Sequence, residues 1–409
     1  MPNPSNPISF STFFTEGQYE TQTEMLDVGK KDGKITIGIP KENEKVERRV
    51  ALVPNSIRTL TGYGHKIVVE SGAGNMCNYS DHDYSEAGAY IAPTRAEVFK
   101  SDVIVKVSPP SLAEIDLMAS GKILISPLHI PMLQSEYFHR LSQKKITALA
   151  MEYLRSEDGA YPIVRIMSEM AGMCAMHTAA QYLGNNHGGR GILLGGVSGV
   201  PPAKVVILGA GVVGEFATKA ALGLGASVRI FDNDISKIMR LQSAVGRQLH
   251  TSSINPVYLA YQLLSADVVI GAMHSTHGRT PVIITDEMVS NMKEGSVIID
   301  VSIDQGGCIE TSKVTTHENP TFTKHGVIHY CVPNIASKVS RTSSMAVSNI
   351  ITPLLIKAGK SLNVESLVYR SSGIRNGVYT YKGRHTNEYL CKRFDLKHTN
   401  LELLLTSKL

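Results

Sequence analysis

The 409-residue chain is short of three things, each of which would have assigned it to a class. Its cysteines are few: Cys77, Cys174, Cys308, Cys331 and Cys391 are scattered, odd in number and contain no C-x-x-C pair. That usage argues against a disulfide framework or a metal site and fits reduced thiols in a cytoplasm. Long hydrophobic runs are missing too. No apolar stretch reaches the roughly 20 residues of a membrane helix, and the N-terminus lacks the basic segment and apolar core of a secretory signal. Charge of one sign is the third shortage: 41 Lys and Arg against 36 Asp and Glu leave +5, too little to argue for nucleic acid. The rest is an ordinary globular composition, 43% hydrophobic and 19% charged. Its length exceeds what one core usually supports, so two domains are expected.

The most informative stretch present is Lys204 to Asp232, KVVILGAGVVGEFATKAALGLGASVRIFD. Val205 to Leu208 form a continuous apolar run, as a parallel strand buried on both faces requires. Gly209, Gly211 and Gly214 follow at once in G-x-G-x-x-G spacing. The first permits a tight turn, the second lets the backbone approach a diphosphate, and the third lets the next helix pack closely on the strand. The N-terminus of that helix then faces the diphosphate. About 20 residues on, Asp232 ends a second strand, where a carboxylate accepts hydrogen bonds from an adenosine ribose and repels a 2'-phosphate. A Gly-rich turn alone is often only a loop. Here strand, turn, helix, strand and acid come in order, which points to a dinucleotide and to NAD rather than NADP.

Residues 1–33 are rich in Ser, Thr, Asn, Pro and Glu without a period, and are expected to form a surface or partly disordered extension. From Lys34, KITIGIPKE reads as a strand, Val50 to Tyr63 as a helix stopped by Gly64, HKIVVESGAG as a second strand, and Arg95 to Val107 as a helix and strand. Ile123 to Ser126 and Ile146 to Glu152 continue the alternation, which implies a second parallel sheet within residues 34–165. His129 and Glu152 then lie at strand carboxyl ends, where ligands gather. Ile166 to Leu183 reads as a packed core helix between the domains, its Met residues included. GGRGILLGGVSGVPPA marks a turn or hairpin. After Asp232 come a helix near Ser236–Val245, a strand at Asp267–Ala272, a helix near Asp286–Met292 and a strand at Ser296–Val301, within a six-stranded unit over 166–339. From Ser340 a helix returns to the first domain, and the polar end of the chain is expected to dock a helix through Tyr389, Leu390, Phe394, Leu401 and Leu403. The expected fold is α/β, with two doubly wound parallel-sheet domains. One, a Rossmann NAD-binding domain, is inserted into the other, which comprises 34–165 and the return and tail 340–409.

Taken together, several stretches resemble the alanine dehydrogenase family and its relative, the NAD-binding subunit of proton-translocating transhydrogenase. The matching runs between Lys34 and Gly359 are GIPKE with RRVALVP, VESGAG, LHIP, MSEMAG, GGRGILLGGVSGV, VILGAGVVG, VIIDVSIDQGGCIET and YCVPNIASKVSRTSS. IDQGG and His129 place the resemblance nearer alanine dehydrogenase. It implies NAD as cofactor, a small amino-acid or 2-oxo-acid substrate, and a homo-oligomer, commonly a hexamer. The cofactor-binding set it implies is Ser168, Gly209, Gly211, Val212, Val213, Gly214, Asp232, Lys237 and Val301.

Oxidation of an amino acid by NAD needs a cation for the substrate carboxylate, a group that moves protons at the amine-bearing carbon, and a nicotinamide held against its hydrogen. By resemblance Arg49 is the cation, a role that suits a guanidinium fork, while Arg48 has no matching role and is expected to be solvated. By resemblance His129 transfers the proton, a task suited to an imidazole of ordinary pKa near 6.5. By resemblance, too, Asp304 orients the water that attacks the imine, and Asn334 is expected to contact substrate as an amide. Without the resemblance, Arg49 would read as surface, His129 as a satisfied core residue and Asp304 as a turn cap.

One departure stands out. The family's catalytic lysine ends a K-V-K motif, and here the segment is KVSPP with Ser108 in that place. Lys106 matches the first lysine and, about 6.6 Å away along a strand, shares the face of Ser108. The transhydrogenase subunit also lacks the lysine and binds NAD without oxidising an amino acid. The departure bears on function more than on fold; the function the resemblance implies is reversible, NAD-dependent oxidative deamination of L-alanine. A different small amino or oxo acid, an opine-type condensation, and a catalytically weak NAD-binding regulator stay open beside it.

Overall fold

The computed structural model describes residues 35–130, 133–275, 278–360, 368–369 and 371–406; the stretch 1–33, expected to be an extension, lies outside them. In the first half of the chain β1 (Thr36–Ile39), β2 (Lys66–Glu70), β3 (Tyr90–Ala92), β4 (Val103–Val105), β5 (Ile123–Ser126) and β6 (Thr147–Ala150) alternate with helices. Runs such as VIV and TALA are buried along their whole length, as strands covered on both faces must be. A second set follows: β7 (Lys204–Leu208), β8 (Ser227–Phe231), β9 (His250–Ser252), β10 (Val268–Gly271), β11 (Val297–Asp300), β12 (Thr321–Lys324) and β13 (Val327–Tyr330). Finally β14 (Val378–Tyr381) and β15 (Arg384–His385) return to the first set.

These strands build an eight-stranded sheet, β15-β14-β6-β5-β4-β1-β2-β3, and a seven-stranded sheet, β12-β13-β11-β10-β7-β8-β9. Six strands of each are parallel, and antiparallel pairing is confined to the β14, β15 and β12 edges. Chain direction across the sheet reverses between β1 and β4 in the first and between β7 and β10 in the second, so each has a crevice at its strand carboxyl ends. The α/β class is as expected. Beyond expectation are β9, β12 and β13, whose short HTS, TFTK and VIHY segments lack a long apolar run. The polar tail docks helices (Glu388–Phe394 and Leu401–Thr406) through Leu390, Phe394 and Leu401, whereas Tyr389 and Leu403, expected on the same face, are exposed; it also adds β14 and β15 to the first sheet.

Two long helices join the sheets. The first, Pro162–Tyr182, opens on a proline whose missing N–H costs nothing in the first turn. Its Gly172 meets the helix Val212–Gly223 so closely that a Cβ would lie 2.4 Å from the Val213 carbonyl oxygen. The second, Ser340–Lys360, turns buried hydroxyls toward the segment after β1. Val50 N–H donates to Ser344 Oγ (2.9 Å) and Val53 N–H to Ser348 Oγ (3.1 Å). The helix expected over Val50–Tyr63 therefore begins only at Pro54, because Val50 to Val53 form a buried bend whose first and last amides the serines satisfy.

Candidate active site

The carboxyl end of β1 leads into the segment that carries Arg49, which is buried. Its Nε donates to Glu47 Oε1 (2.8 Å) and its Nη2 to Glu47 Oε2 (2.6 Å), a bidentate pair. Nη1 donates to the thioether of Met167 (2.9 Å), so this methionine of the joining helix contacts the candidate site as well as packing against the core. Burial works against the guanidinium charge, but Glu47, then Glu42 and Asp304, hold its pKa above the ordinary value. Glu47 is buried as an anion; Arg49 and the Ser337 hydroxyl outweigh desolvation and lower its pKa.

Across the cleft, β11 runs into a short turn, Val301–Gln305, and β13 into the loop that holds Asn334. Asn334 takes left-handed φ of 55°, which asparagine tolerates better than most residues. Its N–H donates to Asp304 Oδ1 (3.0 Å) and its Nδ2 to Glu47 Oε2 (2.8 Å). One chain of hydrogen bonds thus runs Arg49, Glu47, Asn334, Asp304, from the first sheet's crevice to the second's. Burial raises the Asp304 pKa, against the Asn334 N–H and the Arg49 cation.

His129 follows β5 in an irregular segment, exposed and also with left-handed φ, 44°. The protein around the ring, and then the Arg49 cation, lower its pKa, with Glu47 opposing. Glu152 props the segment from below, accepting the Leu128 N–H at 2.7 Å (Oε1), and burial raises its pKa. Expected where chemistry gathers, it serves here to hold the backbone before His129.

Lys106 and Ser108 follow β4 and meet the same oxygen, Oε2 of Glu42: Lys106 Nζ at 2.8 Å and Ser108 by a short hydrogen bond. They share a side, as strand spacing predicts. The ammonium is only 2% exposed and is also bonded to Glu114 (3.3 Å), so its charge is committed to two carboxylates. Arg48, expected to be solvated, is half-buried: its N–H donates to Ser337 Oγ (3.0 Å), and its Nε is buried with no hydrogen-bond partner among the described residues.

On the nucleotide side, Gly209 has φ of 104°, and a Cβ there would lie 2.4 Å from the Ala272 carbonyl oxygen of the neighbouring crevice wall. A Cβ on Gly214 would lie 1.9 Å from the Gly209 oxygen, whereas one on Gly211 meets nothing within 4 Å. The turn is thus tight at both ends and open in the middle, a cradle that fits a diphosphate. Val212 and Val213 form the first helical turn beside it. Asp232 accepts N–H bonds from Ala210 (2.7 Å, Oδ2) and Asp234 (2.8 Å, Oδ1), which leaves each oxygen a lone pair for a ribose hydroxyl. Lys237 lies in the next helix's first turn, 3.7 Å from Asp234. Ser168, one helical turn before Gly172, shares its face toward Val213, and Val301 begins the turn that carries Asp304.

With this geometry in place, comparison with known proteins is decisive. The N-terminal-domain profile of alanine dehydrogenase/PNT matches residues 38–171 and the C-terminal-domain profile residues 175–388. The chain belongs to the alanine dehydrogenase/PNT family. Among relatives of this family, alanine dehydrogenase 2 of Staphylococcus aureus is 38% identical over 373 residues, covering 90% of this chain and 98% of the relative. An alanine dehydrogenase of Methanococcus maripaludis is 39% identical over 371 residues, covering 90% and 99%. A solved L-alanine dehydrogenase superposes with a TM-score of 0.83 at 36% identity, covering 88% of this chain and 99% of that one. A transhydrogenase from Sinorhizobium meliloti gives 0.74 at 26% identity, covering 87% and 99%.

Within the family framework, sequence reasoning missed Glu47, Glu42, Met167 and Ser337. A signal existed for Glu47, which stands two residues before Arg49 and so shares its face in extended chain. Nothing local pointed to Ser337 or Met167.

Proposed function

We propose that the chain is an NAD-dependent amino-acid dehydrogenase that interconverts L-alanine with pyruvate and ammonium. The observation that carries this reading is the hydrogen-bond chain from Arg49 through Glu47 and Asn334 to Asp304, which gathers a cation, an amide and two carboxylates, with Arg49 and Glu47 within electrostatic reach of His129. Residues Gly209 to Gly214, with Ser168, Val212, Val213, Asp232, Lys237 and Val301, would hold NAD, which would supply the hydride acceptor for the substrate carbon. Arg49 holds the substrate carboxylate, with Ser108 and the enclosed Lys106 on its own side of the cleft and Asn334 facing it from the other. His129, neutral near pH 7 because its pKa is lowered, takes the proton released as the amine becomes an imine. Asp304 orients the water that adds to the imine carbon. Alanine, water and NAD thereby give pyruvate, ammonium, NADH and a proton.

In this reading residues 34–165 and 340–409 form the substrate domain and 166–339 the nucleotide domain. The protein is a cytoplasmic homo-oligomer, a hexamer, working in amino-acid metabolism. Five free, buried cysteines support a reducing compartment, and no helix of the described residues is long and apolar enough to cross a membrane.

Ser108 favours a second reading, in which the preferred substrate is another small 2-amino or 2-oxo acid. NADH formation across a panel of amino acids, and NADH oxidation with 2-oxo acids plus ammonium, separates the two. Turnover only with a keto acid and an amino acid together marks an opine-type enzyme. Tight NADH binding with no turnover on any substrate overturns the dehydrogenase reading in favour of a regulator.

A further inference from the structure

We infer that Glu47 is the positioning residue of the substrate-carboxylate site, orienting the Arg49 guanidinium and tying that orientation to the docked second domain. The inference rests on the dehydrogenase reading for the identity of the carboxylate.

A guanidinium has five N–H donors. Glu47 takes those of Nε and one of Nη2, and Met167 takes one of Nη1. One N–H on each of Nη1 and Nη2 is left without a partner among the described residues, enough for a second, substrate carboxylate. Glu47 itself has no freedom to swing away. It is 2% exposed. Its Oε1 accepts from Arg49 N–H (2.9 Å), Arg49 Nε (2.8 Å) and Ser337 Oγ (3.1 Å), and its Oε2 from Arg49 Nη2 (2.6 Å) and Asn334 Nδ2 (2.8 Å). Three of these donors are on Arg49 and two on the loop after β13, so the acid is shared between the two sides of the cleft. A carboxylate that merely neutralised the cation would need neither the bidentate edge nor the donors from the far wall. Here the cation is turned to present its remaining donors only when Asn334 and Ser337 are in place, which couples carboxylate capture to domain docking.

The test compares full-length wild type, Glu47→Gln and Ser337→Ala. NADH affinity is read by fluorescence, and pyruvate affinity for the NADH-bound protein by calorimetry without ammonium. Gln keeps the volume but loses the charge and one acceptor, so pyruvate binding should weaken about tenfold or more, while NADH affinity stays within about twofold. Ser337→Ala should weaken pyruvate binding about threefold. A role in packing alone predicts a lower melting temperature with unchanged pyruvate affinity, and that result in folded Glu47→Gln overturns the inference. Should this variant fail to fold, unchanged pyruvate affinity in Ser337→Ala overturns it instead. Wild type that binds pyruvate yet turns over no amino acid removes the dehydrogenase reading but leaves the Glu47 comparison intact. Wild type that binds no pyruvate overturns the Glu47 inference itself.

Discussion

Gly211 and Gly214 are three residues apart and resist substitution for opposite reasons. A methyl group at 211 meets no protein atom within 4 Å. Gly211→Ala should therefore melt like wild type but lose NADH affinity, because the methyl stands where the diphosphate comes in. A methyl at 214 would lie 1.9 Å from a backbone oxygen, so Gly214→Ala should cost about 1–3 kcal/mol of stability, read from denaturant unfolding. At His129 the sign is set by desolvation from the surrounding protein and by the Arg49 cation, both of which lower its pKa. The base must be neutral to accept a proton, so alanine oxidation should rise with pH through an apparent pKa below about 6.5. A pH-rate profile with its acid limb above that value would reject His129 as the base. Ser108→Lys should raise alanine turnover by placing an ammonium where Ser108 now bonds Glu42. A flat or lower rate means that Lys106 already fills the role, or that the site serves another substrate.

At the scale of elements, the decisive contact is between the joining helix Pro162–Tyr182 and the helix Val212–Gly223 that follows the Gly-rich turn. A Cβ at Gly172 would lie 2.4 Å from Val213 O and 2.7 Å from Ala217 N, both backbone atoms that cannot rotate aside. Gly172→Ala should thus cost about 1–3 kcal/mol and also weaken NADH binding, since Val213 sits in the first turn at the cradle; calorimetric melting and NADH titration check both. Unchanged NADH affinity would separate this contact from the cofactor site. The periodicity of this helix was legible in the sequence, but its partner was not, because a small residue at a crossing looks the same as any helical glycine. The serine contacts from Ser340–Lys360 to Val50 and Val53 were equally hidden, since hydroxyls carry no hydrophobic period.

For the whole molecule, the hairpin bridged by Val197 and Val200 leaves Leu193, Val197 and Val200 at 65%, 62% and 58% exposure. Apolar side chains gathered on one projection favour burial against another copy, in keeping with the proposed homo-oligomer. Light scattering should report a hexamer in wild type and a smaller species in Val197→Asp; a wild-type monomer would sink that proposal. The sequence by itself determined the α/β class and the strand, Gly-rich turn, helix and acid of Lys204 to Asp232, because they lie in one short run whose geometry is local. Only the tertiary structure decided the candidate site in the cleft. Arg49, Glu47, Asn334 and Asp304 are brought together from distant stretches by two crevices facing each other, and the Lys106 charge is enclosed by carboxylates. Which donors remain for a substrate depends on those long-range partners, and no local pattern records them.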